Sequence, residues 1–264
     1  MRDPLVTPPV RGGFADTALL LVAHGSRDPR SGAAIEALAA RVAAARPGTR
    51  VAVASLEHRG LRPVPVAREL AAAGAAGITA VPLLLTDAYH STVDVPAVTA
   101  EIRASLPHLP IARTGVLGPD GLLSAALADR LAELGVSGVD GLVLAAAGTS
   151  DRAARHGIAQ VAAEFAARRG VPGAVAFAAG AGPDVPTAVG RLRSTGARRI
   201  AVLSYFLAPG RLHDRIVAGA RGCGVPVSAP FADTGPVAEL VLRRADRAWD
   251  SVPRQRTALS VSAH

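Results

Sequence analysis

Short apolar runs alternate with amphipathic, alanine-rich stretches along most of this chain. The runs at 18–23, 50–56, 78–85 and 111–116 are apolar almost throughout, the mark of strands buried on both faces. Between and after them, 33–45, 64–73, 95–105 and 122–134 place apolar residues at helical spacing. The pattern then restarts, with strands expected at 141–147, 174–178 and 199–207 and helices at 152–168, 185–194 and 213–220. A final short strand is expected at 225–229 and a last helix at 236–249. Short apolar strands separated by helices predict parallel sheets with helices on both faces.

The restart is an internal repeat. LLLVAHGSRD at 19–28 lies over LVLAAAGTSD at 142–151, so Leu19 falls on Leu142, Gly25 on Gly148 and Asp28 on Asp151. The same offset sets His213 opposite His90 and Gly180 opposite Glu57. The expected fold is therefore α/β with two similar lobes, each a parallel sheet flanked by helices, and a cleft between them. The lobes run over 15–137 and 138–250, while 1–14 and 251–264 carry little periodicity and read as flexible. Open parallel sheets bind ligands beyond the carboxyl ends of their strands, so candidate chemistry belongs there.

Composition narrows the field. Of 264 residues half are hydrophobic, ample for a buried core. Cysteine occurs once, at Cys223, which excludes an intramolecular disulfide, an iron–sulfur cluster and a cysteine-rich zinc site held by one chain. Lysine is absent, which excludes Schiff-base chemistry and a Walker-type phosphate loop. The formal charge of +8, carried by arginine, suits an anionic partner. Nucleic acid is not the expected one: aromatics are only 3%, the arginines are scattered, and no nucleic-acid-binding signature is present. The first strand is followed by HGSRDPR rather than a G-x-G-x-x-G turn, which argues against dinucleotide binding. The N-terminal run MRDPLVTPPVRGG lacks an apolar segment and no stretch is long enough to span a bilayer. The expectation is a cytoplasmic protein with no membrane partner, either a monomer or a weak homo-oligomer.

Three polar residues stand at successive strand ends. His24 closes the first, in Ala23-His24-Gly25-Ser26-Arg27-Asp28; Gly25 permits a sharp turn, and Ser26 or Asp28 can cap the next helix. Glu57 closes the second strand, with His58 beside it. His90 follows the third, in TDAYHSTVDVP, where Asp94 reads as a helix N-cap. Loops after neighbouring parallel strands can approach each other, and two neutral imidazoles there can hold a divalent ion with positions left open. Taken singly, each histidine also reads as a packed or surface residue, and Glu57 as an exposed loop carboxylate.

The runs LLLVAHGSRDPR and VPLLLTDAYHSTVDVP, with the Glu57 strand end between them, resemble the CbiX/SirB-type sirohydrochlorin chelatases, a family of class II tetrapyrrole chelatases. The likeness covers about 19–134, and the repeat extends it to roughly 250. It implies a lyase that inserts Fe²⁺ or Co²⁺ into sirohydrochlorin for sirohaem or cobalamin synthesis. It also implies that no cofactor is permanently bound and that the divalent metal is a substrate. By resemblance, His24 and His90 are the metal-binding histidines and Glu57 accepts protons. Ser26, Arg27, Arg59 and Tyr89 are the expected contacts to the polycarboxylate tetrapyrrole, and Arg30 and Arg62 are further arginines near the strand ends. The second half departs from the pattern: Ala147 replaces His24, so it is expected to serve as scaffold and cleft wall. A tetrapyrrole or metal carrier without turnover is the alternative.

Overall fold

The computed structural model describes residues 16–57, 61–86 and 93–251. The first repeat contains β1 (Thr17–Ala23), α1 (Pro29–Ala45), β2 (Val51–Ser55), α2 (Pro63–Ala72), β3 (Gly77–Pro82), α3 (Val95–Ser105), β4 (Ile111–Arg113) and α4 (Gly121–Glu133). The second contains β5 (Gly141–Ala146), α5 (Arg152–Ala167), β6 (Gly173–Phe177), α6 (Val185–Ser194), β7 (Ile200–Tyr205), α7 (Arg211–Gly222) and α8 (Gly235–Asp250). Two parallel sheets result, in the orders β2-β1-β3-β4 and β6-β5-β7.

Both central strands are buried on both sides, which explains their unbroken hydrophobicity. In β1, Ala18, Leu20 and Val22 face a cluster with α2 and α3, while Leu19, Leu21 and Ala23 face α1 and the centre of the molecule. In β5, Val143 and Ala145 face α6 and α7, and Leu142 and Leu144 join the same central cluster. That cluster includes α1, α4, α5 and α8, so one core ties both sheets together.

The terminal helices cross over. α8 ends the second repeat but packs on β3 and β4 of the first sheet, and α4 contacts β7 of the second. Trp249 of α8 lies over Gly77 at the start of β3, where a Cβ would collide with the indole ring. Arg130 of α4, nearly buried, is paired with Asp233 just before α8, and Arg46 at the C-cap of α1 with Asp246 at 2.7 Å.

Two expectations need correction. The strand at 225–229 is reduced to a single parallel bridge, Val202 to Val227. Pro226 has no amide to donate, and the Ser228 hydroxyl rather than its backbone accepts from the Ser204 amide at 2.9 Å. The residue opposite Glu57 is Ala179, not Gly180: Ala23 pairs with Ser55 and Ala146 with Phe177, so the second strand of the repeat is one residue closer in sequence. His213 sits inside the first turn of α7; its sequence counterpart His90 lies outside the described residues.

Candidate functional site

The carboxyl ends of β1, β3, β5 and β7 open onto a cleft of about 1220 Å³ lined by both lobes. That is more room than a drug-sized ligand requires, and it suits a large flat one. His24 emerges from β1 onto its wall. The turn beyond it is built on Gly25, whose φ of 97° belongs to the left-handed region. The turn also presses against the neighbouring strand end: the Glu57 amide donates to the His24 carbonyl at 3.0 Å, and a Cβ on Gly25 would overlap the Glu57 carbonyl oxygen. The contact that demands glycine therefore also fixes His24 beside Glu57.

Their side chains follow. His24 Nε2 lies 3.9 Å from Glu57 Oε2, with the side chains 42% and 47% exposed. The gap is too long for a direct hydrogen bond and short enough for both groups to reach one ligand. Ser26 holds the turn by accepting from the Asp28 amide at 3.1 Å, and Asp28 caps α1 through the Arg30 amide at 3.0 Å. Arg27 is exposed on the cleft wall.

His90, Tyr89 and Arg59, and His58 beside Arg59, lie outside the described residues. The chain immediately before Tyr89 and His90 is informative: Leu83, Leu84, Leu85 and Thr86 all line the cleft. Arg62 donates to the Leu56 carbonyl and braces the Glu57 strand end. Asp94 occupies the N-cap position of α3 but with helical φ and ψ, and it makes no side-chain cap hydrogen bond.

The second lobe supplies the opposite wall, through Thr149 after β5 and Tyr205 to Asp214 around the start of α7. Burial pushes the Tyr205 hydroxyl far above the usual phenol range. His213 is 8% exposed, and burial holds its pKa below the ordinary histidine value. Ser204 Oγ donates to the Ser228 carbonyl at 2.6 Å, so its 3.1 Å contact with His213 takes the proton from Nε2 of the ring. Arg30 spans the cleft mouth, gripping Asp28 of its own lobe at 2.6 Å and Asp214 of the other at 2.7 Å. Arg30 holds the carboxyls of Asp28 and Asp214 below the usual carboxylate range, and they hold the guanidinium firmly charged. Sequence reasoning missed Arg211 and Asp214; the strand ends of the second repeat marked where to look, but nothing in the sequence said which side chains cross the cleft.

These features define a class: two-lobed α/β proteins with an imidazole and a carboxylate converging at parallel strand ends beside a large cleft. The CbiX family model matches residues 18–134 and 141–248, and this chain belongs to the CbiX family. The fold is similar to that of SirB from Bacillus subtilis with Fe³⁺, with TM-score 0.75 and 22% identity over 88% of this chain and 95% of that one. The sirohydrochlorin chelatase SirB from Bacillus subtilis subspecies spizizenii in complex with cobalt is also similar, with TM-score 0.71 and 22% identity over 89% and 97%. So is CbiX, the terminal enzyme of sirohaem biosynthesis in denitrifying bacteria, at TM-score 0.63 and 22% identity over 88% and 99%. Among curated proteins no sequence matches the chain. Among the described residues no helix is long and apolar enough to cross a membrane, and no cluster of three or more metal-ligating side chains occurs.

Proposed function

We propose that this protein is a sirohydrochlorin chelatase, a lyase that inserts Fe²⁺ or Co²⁺ into the free-base tetrapyrrole in the cytoplasm. One observation carries the reading: His24, on the wall of a cleft large enough for a macrocycle, meets Glu57 at the adjacent strand end. Membership in the CbiX family supports it, as do the iron and cobalt in the SirB structures.

Insertion exchanges one divalent cation for two pyrrole N–H protons, so the site must hold a cation loosely and accept protons. In this reading His24 and His90 bind the incoming ion through neutral imidazole nitrogens. With so few protein ligands, much of the coordination shell remains exchangeable, and the ring nitrogens can replace it. Glu57, 3.9 Å from His24, is placed to take the protons as they leave the macrocycle. Arg27, exposed on the cleft wall, offers forked donors to the peripheral carboxylates.

The test is an anaerobic insertion assay that follows the tetrapyrrole absorbance with Fe²⁺ or Co²⁺. His24→Ala and His90→Ala are each expected to reduce insertion to the uncatalysed rate. Glu57→Gln is expected to slow it by about 100-fold with tetrapyrrole binding retained. Near wild-type rates in both histidine variants would overturn the assignment. A wild-type protein that completes no more than one insertion per chain would be a carrier instead.

A further inference from the structure

Three arginines line the cleft: Arg27 and Arg30 from the first lobe and Arg211 from the second. Arg30 is neutralised by Asp28 and Asp214. Among the described residues neither Arg27 nor Arg211 has an acidic partner, and both side chains are exposed. For Arg211 this needs a cause, because Asp214 stands three residues further along the same helix, the spacing at which such charges normally pair. The cause is Arg30, which takes both Asp214 oxygens, Nη1 to Oδ1 at 3.1 Å and Nη2 to Oδ2 at 2.7 Å. A second guanidinium would have to approach that carboxylate against the charge of the first. Arg211 therefore remains on the cleft wall with its charge uncompensated and its donors available.

We propose that Arg211 is a carboxylate-binding residue of the substrate site, contributed by the second lobe, and that Arg30 keeps it available by occupying Asp214. The inference rests on the reading of the cleft as a polycarboxylate tetrapyrrole site. It gives the second lobe a part in recognition although that lobe has Ala147 and Ala179 where the first has His24 and Glu57. A macrocycle with acidic groups around its edge would then be held from both walls, by Arg27 on one side and Arg211 on the other. Arg30 is a positioning residue in this arrangement: its donors are spent on protein carboxylates.

The experiment is a metal-free binding titration of the full chain, reading porphyrin fluorescence with uroporphyrin, which carries eight carboxylates, and coproporphyrin, which carries four. Arg211→Ala is expected to weaken uroporphyrin binding by about tenfold, with a smaller effect on coproporphyrin. Arg30→Ala is expected to weaken it as well, because Asp214 then falls back onto Arg211. Adding Asp214→Asn to Arg30→Ala should restore most of that loss, and Asp214→Asn alone should bind at least as tightly as wild type. If Arg30 were itself the substrate ligand, or a strut whose loss loosens the lobes, the double variant would stay as weak as Arg30→Ala; that result overturns the inference. So does an Arg211→Ala protein that binds uroporphyrin like wild type. A wild-type protein that binds neither porphyrin would instead sink the tetrapyrrole reading itself.

Discussion

At the ends of β1 and β5 the backbone does the same thing twice. Gly25 and Gly148 both have φ of 97°, and each lies so close to the next strand end that a Cβ would overlap a carbonyl oxygen, of Glu57 in one case and Ala179 in the other. The Glu57 amide donates to His24 at 3.0 Å and the Ala179 amide to Ala147 at 3.1 Å. Asp28 and Asp151 then cap the following helices. The side chains differ: histidine and glutamate in the first lobe, two alanines in the second. The turn is thus a framework that persists where the histidine and the glutamate do not, and the glycine is required by the packing of the two strand ends.

The sharpest way to break this comparison is to substitute the glycines. Gly25→Ala and Gly148→Ala are each expected to cost roughly 3 kcal/mol or more, from left-handed strain plus the overlap with a backbone carbonyl that cannot step aside. Thermal or denaturant unfolding would measure it. The lobes should part company in activity. Folded Gly148→Ala protein should keep most of its insertion rate, whereas folded Gly25→Ala protein should lose it, because displacing the Glu57 strand end separates Glu57 from His24. Equal loss in both would mean that the second turn has its own part in the chemistry.

The same repeat explains what was legible in the sequence. Strands buried on both faces must be apolar throughout, so β1, β3, β5 and β7 were all anticipated by their runs, and α3 and α6 to the residue. The repeat in turn predicted two lobes and a cleft at the strand ends. Helix exchange was not legible, because α4 and α8 look the same in sequence whichever sheet they cover. The fourth strand place of the second sheet was over-read, since VPVS has strand-like residues but Pro226 cannot contribute to a ladder. Within the site, His24 and Glu57 could be read from their places at strand ends. The Arg30–Asp214 pair joins residues from different repeats, and only three-dimensional packing brings them together.

A second asymmetry follows from the exchange. Trp249, the only tryptophan, belongs to the second repeat but stacks over Gly77 of the first sheet. Trp249→Ala is expected to cost about 2–3 kcal/mol, below the roughly 3–5 kcal/mol for a fully buried aromatic because Trp249 is only partly buried. If the helix exchange couples the lobes, far-ultraviolet circular dichroism should still show one transition, with the whole curve shifted. Two separated transitions, with only the first sheet destabilised, would show that the lobes unfold independently despite their shared core.

The smallest expected effect lies where the lobes differ in titratable chemistry. The first turn of α3 is Val95-Pro96-Ala97-Val98 and carries no titratable side chain, whereas α7 buries His213 in its first turn. Burial lowers the pKa of His213 most strongly; its bond to the Ser228 backbone and the nearby Asp214 act the other way, and Arg30 adds to the lowering. Above about pH 6.5 the ring is neutral in the folded and unfolded chains alike. As the pH falls below that value, the unfolded chain takes up a proton that the folded one resists, so stability declines until the depressed folded pKa is reached. The carboxyls of Asp28 and Asp214 are also depressed, but their contribution is lost only below about pH 4, so the two windows are separable. His213→Gln, which keeps a donor for Ser204, should therefore flatten the stability profile just below about pH 6.5 and leave the carboxylate limb below about pH 4 unchanged. Hydrogen exchange should place the wild-type loosening in α7 and not in α3, since a neutral buried ring is required only where Ser204, Ser228 and His213 hold α7 against β7.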